Sequence, residues 1–297
     1  MKIHFLLVCI IAVGLFFLNT GLIYASSDAG ALTLQQQINI ISSEIHNLKS
    51  LLKSMESTEA VTANAYIVMD AESKKIILEK NSGQQYPIAS ITKLMNAVVT
   101  LENIDTKTTV RLTKAMLKPA GHSPSLFLNS KISVGNLLKA SLIQSVNDAA
   151  QALSNAVGAG KFVNLMNQKA KVLGMENTVY YDAHGLNPKN VSTADDLAKL
   201  ANYIYQKHPE ILDITKDNNF WLPDAKGKLL KFKNLNNFYI MPDFIGGKTG
   251  RLIEAKETMA SLFVINGKPV IVVVLYSGNA QADTLKLVES AKKTLSL

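Results

Sequence analysis

Residues 86–102 of this chain read YPIASITKLMNAVVTLE. Pro87 forbids helix just upstream, and Leu94, Met95, Val98 and Leu101 recur at helical spacing downstream, so the stretch predicts a helix that begins at Ser90. Ser90 and Lys93 then stand one turn apart on the same helix face, with the amine in reach of the hydroxyl. The serine-x-x-lysine pattern occurs three times, as Ser50 with Lys53, Ser90 with Lys93 and Ser290 with Lys293. Spacing does not choose among them; their surroundings do.

Upstream of the middle copy, AYIVMD (65–70) and KKIILEK (74–80) are short β-branched runs split by AES, the pattern of a β-hairpin. Residues 110–210 read as mostly helical, through VGNLLKASLIQSVNDAAQALSNAV, GKFVNLMNQKAKVLG and TADDLAKLANYIYQ. Strands return with ETMASLFVI and KPVIVVVLYS, joined by an Asn-Gly step that favours a tight hairpin turn. An amphipathic helix, AQADTLKLVESAKKTLSL, closes the chain. Strands at both ends enclosing a helical middle predict an α+β fold, an antiparallel sheet flanked by helices with an inserted helical subdomain. Ser290 and Lys293 fall in the closing helix, where no later segment can build a site around them.

The amino-terminal end has a different texture. Lys2 precedes an apolar run from Phe5 to about Ala25, close to the ~20 residues that span a bilayer, and Asp28 follows it. That charge order predicts a single-pass membrane anchor with everything downstream outside the cytoplasm. A cleaved signal peptide, giving a secreted protein, is the competing reading, since IYASS offers small residues; the long apolar run and Ile23 speak against it. Next, Leu34, Ile38, Ile41, Ile45, Leu48, Leu52 and Met55 alternate in steps of four and three, the seam of a dimeric or trimeric coiled coil. An amphipathic helix lying on the domain or the membrane is the alternative. Ser50 and Lys53 sit on the polar side of this stalk. The expected organisation is therefore an anchor at 1–30, a stalk at 31–58 and a globular domain at 62–297.

Composition excludes some classes of function. With 31 basic and 23 acidic residues the formal charge is +8, yet no run of like charges or aromatic-interleaved basic stripe marks a nucleic-acid surface. Cys9, the single cysteine, permits no intrachain disulfide. The five histidines lack ligand spacing, so no metal and no cofactor is expected.

A serine hydroxyl needs a base, and an ordinary lysine, with a pKa near ~10.4, is already protonated at neutral pH. Burial beside a second cation would lower that pKa, so Lys93 calls for another lysine and a proton relay. SVNDAA supplies Ser145 and Asn147 on a polar loop or helix start, and GGKTG supplies Lys248, Thr249 and Gly250 just before a strand. A second serine-x-asparagine, Ser277 with Asn279, comes too late in the order.

Serine-x-x-lysine, serine-x-asparagine and lysine-threonine-glycine, in that order, form the triplet of serine β-lactamases and penicillin-binding proteins. Together with LLKASLIQSVNDAAQAL, FVNLMNQKAKVLGMENTVYYDAHGLN, STADDLAKLANYI and IGGKTG, it makes residues 62–297 resemble the penicillin-binding D-alanyl-D-alanine carboxypeptidase and endopeptidase family. The resemblance implies a β-lactamase/transpeptidase-like fold that acts on peptidoglycan stem peptides and is inhibited by β-lactams. It also implies site roles: Ser90 as nucleophile, Lys93 as its base and Ser145 as relay to the leaving amine, with Asn147 on the substrate backbone. Lys248 and Thr249 would hold the terminal carboxylate beside Gly250, and the N–H groups of Ser90 and Arg251 would form the oxyanion hole. His184, in AHGL, becomes a structural loop residue.

Leu252 and Ile253 stand where this family commonly has polar groups, and Lys256 where it has glycine, which bears on substrate preference. The resemblance also leads one to look for a separate C-terminal β-domain and for the glutamate that deacylates some β-lactamases; the sequence offers neither. Carboxypeptidase and endopeptidase are not separated by these residues. β-Lactamase and a non-catalytic wall-binding scaffold are the other classes.

Overall fold

The structure, a computed structural model, describes residues 34, 36–45, 60–119, 126–223 and 227–296. The chain divides into two units, Met1–Lys53 and Ser54–Leu297. In the first, residues 36–45 are helical, and Ile38 and Ile45 are exposed. The expected anchor and the seam residues Leu48, Leu52 and Met55 lie outside the described residues, as do Ser50 and Lys53. Among the described residues no helix is long and apolar enough to cross a membrane.

The second unit is built on a five-stranded antiparallel sheet. In spatial order it runs β2 (Ile76–Lys80), β1 (Ala65–Asp70), β7 (Lys268–Ser277), β6 (Lys256–Ile265), β5 (Phe244–Leu252). The run PVIVVVL in β7 does not alternate because β7 is central and covered on both faces. Ile271, Val273 and Leu275 join the main core with Ala65, Ile67 and Met69 of β1 and the α5 residues Leu197 and Leu200. Val270, Val272 and Val274 are equally buried on the other face, where α7 (Ala280–Leu295) packs. The turn between β6 and β7 is Asn266-Gly267, at φ 50° and 79°, the left-handed pair that a two-residue hairpin requires.

Among the described residues six α-helices stand between β2 and β5: α1 (Thr92–Asn103), α2 (Val134–Ile143), α3 (Asn147–Val157), α4 (Ala159–Val172), α5 (Ala194–Lys207) and α6 (Pro209–Lys216). α1 is buried on every side, from Thr92 to Thr100. Its polar residues are all bonded: Asn96 Nδ2 donates to the carbonyls of Ala150 and Ala183, and Thr92 Oγ1 accepts from Asn190 Nδ2.

Three sequence expectations are corrected. The helix expected from Ser90 opens as a 3₁₀ turn over Ala89–Ile91, and α1 proper begins at Thr92. The stretch 134–157, by contrast, carries the polar loop and helix start expected for Ser145 and Asn147: Ser145 turns left-handed (φ 60°) between α2 and α3, and Asn147 opens α3. The lysine-threonine-glycine element lies within β5 rather than before a strand. A hairpin that the sequence reading did not foresee, β3 (Asn219–Pro223) with β4 (Leu229–Lys233), follows α6.

Candidate active site

The site forms where β5, one of the two edge strands of the sheet, faces the Ala89–Ile91 turn and the Ser145 connection. Strand edges invite pairing, and the first half of this one is covered. α6 packs on it, with Thr215 Oγ1 accepting the N–H of Gly247 at 2.9 Å. The second half, carrying Lys248 to Arg251, borders a cleft of about 340 Å³. Ser90, Ser145, Thr249, Gly250 and Arg251 line this cleft.

Beneath them lies Lys93, fully buried. Its Nζ is 2.9 Å from Ser90 Oγ, 2.9 Å from Asn147 Oδ1 and 2.6 Å from the carbonyl oxygen of His184. Burial first, and the charge of Lys248 second, hold its pKa well below the ordinary lysine value, with Asp182 opposing. The two oxygens of Asn147 and His184 can only accept, so in a neutral amine they take both N–H groups. The lone pair is then left for the Ser90 hydroxyl, which is the orientation a general base needs.

Lys248 is also buried, and its Nζ donates to Ser145 Oγ at 3.0 Å and to the Thr249 carbonyl at 2.8 Å. Burial lowers its pKa to about 7. Ser90, Lys93, Ser145, Asn147, Lys248, Thr249, Gly250 and Arg251 are thus gathered from three separate segments.

Two glycines let the nucleophile turn close. A Cβ on Gly250 would lie 2.4 Å from Thr258 Oγ1 and 3.0 Å from Ser90 N. One on Gly185 (φ +89°) would lie 2.0 Å from the Ala89 carbonyl oxygen. Gly185 belongs to a loop held by Asp182, which accepts the N–H groups of His184 (3.0 Å), Gly185 (2.6 Å) and Asn187 (2.6 Å). That loop is what presents the His184 carbonyl to Lys93. The sequence reading made His184 structural, and its contact with Lys93 runs through the backbone, which no side-chain motif could have revealed.

The cleft also takes Leu235, Glu257, Thr258, Ala280 and Gln281, which sequence reasoning missed. Glu257 pairs with Arg251 across the β5–β6 register and accepts the N–H of Ala280 at 3.1 Å. Of the residues noted as departures, Ile253 is 93% exposed in the β5–β6 turn. Lys256 adopts φ 51°, the conformation for which glycine is favoured. The competing motif copies have other duties. Ser277 Oγ donates to Asp283 Oδ2 while Asn279 caps α7 by accepting from Ala282 N, and Ser290 Oγ bonds to the Lys286 carbonyl on the outer surface of α7. Among the described residues no acidic, histidine or cysteine cluster could hold a metal.

Comparison with known proteins covers the stretch of chain that carries these residues. The family model described as D-alanyl-D-alanine carboxypeptidase matches residues 52–279. The chain is 38% identical over 178 residues to the D-alanyl-D-alanine endopeptidase of Haemophilus influenzae, covering 59% of this chain and 60% of that one. It is 31% identical over 252 residues to the D-alanyl-D-alanine endopeptidase of Escherichia coli, covering 80% of each. Among solved structures, penicillin-binding protein D2 from Listeria monocytogenes in its cefotaxime-bound form superposes with a TM-score of 0.68 at 30% identity, over 80% of this chain and 99% of that one.

Proposed function

The chain belongs to the D-alanyl-D-alanine carboxypeptidase family, and from that premise we propose that it is a serine-type D-Ala-D-Ala carboxypeptidase or D,D-endopeptidase. It cleaves peptidoglycan stem peptides through an acyl-enzyme and is acylated by β-lactams. The observation that carries this reading is the buried Lys93 amine, held 2.9 Å from Ser90 Oγ with two fixed acceptors on its other side.

In this mechanism Lys93 takes the Ser90 proton as Oγ bonds to the carbonyl carbon of the penultimate D-alanine. The N–H groups of Ser90 and Arg251 receive the oxyanion. Ser145, bonded to Lys248, hands its hydroxyl proton to the departing amine as the C–N bond breaks, and is refilled by the proton that Lys93 took from Ser90. Lys248 and Thr249 hold the terminal carboxylate, with Gly250 giving it room and Arg251 at the rim, while Asn147 holds the substrate backbone as well as Lys93. Water then cleaves the ester and regenerates Ser90.

Product analysis tests the reading. The protein should release D-alanine from a pentapeptide or split a D-Ala cross-linked dimer, and the faster of the two names the activity. Its penicillin adduct should be long-lived. Rapid turnover of the drug would make it a β-lactamase; a folded protein that forms no adduct would be the wall-binding scaffold.

The same proposal extends to placement: residues 1–30 anchor the protein in the cell membrane with the catalytic domain outside, and the Leu34–Met55 seam joins chains. The exposed Ile38 and Ile45 support a partner for that seam. Removing residues 1–58 should leave a soluble, active monomer, whereas a chain beginning at Ser27 should self-associate. Light scattering decides, and monomers in both cases would end the stalk proposal; protection of the domain from external protease in spheroplasts would end the topology.

A further inference from the structure

The cleft, at about 340 Å³, has room for the end of a peptide, so a polymer that carries the peptide must lie across the rim. The β3–β4 hairpin leads into the cleft wall. Its base is clamped to the segment that ends at Ser145: Lys233 N donates to Gln144 Oε1 at 2.7 Å, and Leu235 N to the Ile143 carbonyl at 3.2 Å. Leu235 then continues into the cleft wall. The inner face of the ribbon is ordinary core, with Phe220 stacked on Phe232 at 4.7 Å and Leu222 buried beside them. The outer face is not. Alternation turns Trp221, Pro223, Leu229 and Lys233 outward, and Trp221, the sole tryptophan of the chain, is 49% exposed. Its cross-strand partner is Lys231, whose Nζ lies 5.4 Å from the ring centroid.

We propose that this outer face is a second substrate subsite, on which a sugar ring of the wall glycan packs against Trp221 while Lys231 and Lys233 meet carboxylates of its peptide stems. The inference rests on the activity proposed above and deepens it by naming where the polymer sits. A pyranose has an apolar C–H face that suits an indole, and the lysines beside it match the acidic groups of the stem. From Lys233 the chain runs within two residues to Leu235 in the cleft wall, so a strand bound on this face has its peptide near Ser90. A lipid surface fits less well, because Lys231 and Lys233 keep two charges beside the indole on this small face.

A single tryptophan makes the test direct. With the full-length protein held in phosphatidylcholine vesicles, peptide-free glycan chains from purified sacculi should shift the Trp221 emission saturably to shorter wavelength. Trp221→Ala should slow D-alanine release from intact sacculi by ~10-fold, the scale of one lost aromatic contact, and leave penicillin acylation and release from a free pentapeptide unchanged. Trp221→Phe, which keeps a ring, should retain most of the sacculus rate. An unmoved emission, or an unchanged sacculus rate in Trp221→Ala, overturns the subsite, and so does an equal loss on the free pentapeptide. A shift caused by phosphatidylglycerol in the vesicles and not by glycan overturns it in favour of a membrane contact. The emission reading needs no catalysis, so a protein that binds glycan yet never acylates would refute the peptidase and leave the subsite standing.

Discussion

Ser90→Ala should abolish covalent labelling of this protein by a fluorescent penicillin, and Lys93→Ala should slow it by at least ~10²-fold, the loss expected for a positioned proton acceptor. The β-lactam ring presents a strained amide in place of the D-Ala-D-Ala bond, and its opening leaves an ester on the attacking oxygen. Ser50→Ala and Ser290→Ala should change nothing, Ser290 being bonded to a helix carbonyl on the surface. The rate should also carry the two lysines in its pH profile. Burial lowers the Lys93 pKa, so the base stays neutral, and acylation stays fast, to a pH well below that of an ordinary lysine. Lys248 loses its charge as pH rises through about 7 in the free enzyme, so kcat/KM for carboxylate-bearing substrates should fall above that pH. Mass spectrometry placing the adduct on another serine would refute the assignment. A kcat/KM that climbs steadily to pH 10 would refute the description of the lysines.

Gly185→Ala should be nearly as damaging, although residue 185 carries no chemistry. The added Cβ would meet the Ala89 carbonyl oxygen at 2.0 Å and Ser90 N at 3.0 Å, both backbone atoms that cannot rotate away. The left-handed φ of +89° adds a cost of ~1–2 kcal/mol for any L side chain, and overpacking adds ~1–3 kcal/mol. Melting should fall by roughly 10 °C on that sum. Displacing the Ser90 turn by about 1 Å should reduce penicillin labelling by ~10²-fold in the protein that remains folded. Gly174→Ala is the control, since Gly174 has φ +68° with nothing within 4 Å of the added Cβ. It should lose the backbone share of stability and keep its labelling rate. Equal labelling by the two variants would show that Gly185 does not hold the nucleophile turn.

These contrasts show where the sequence was legible. Pro87 and the helical recurrence from Leu94 announced α1, and Asn266-Gly267 announced the β6–β7 turn, because both are local: one ring fixes φ, and one dipeptide tolerates two left-handed residues. β7 was legible too, since a strand buried on both faces must be apolar throughout. β5 was misread at its edge. FIGGKTGRL lacks the apolar alternation of a strand because its glycines allow α6 and the nucleophile turn to approach, and its polar residues face the cleft. The connection at Ser145 was legible as a polar loop or helix start, but its left-handed turn was not, as no proline or glycine marks it between α2 and α3.

By itself the sequence determined the order of the three motifs, and with it which serine-x-x-lysine has companions. It could not determine the state of Lys93. That amine is poised by an asparagine 54 residues away, a backbone carbonyl 91 residues away and the charge of Lys248. Only tertiary packing closes those distances while excluding water, and a lysine pKa responds to burial and nearby charge in space, not to position along the chain.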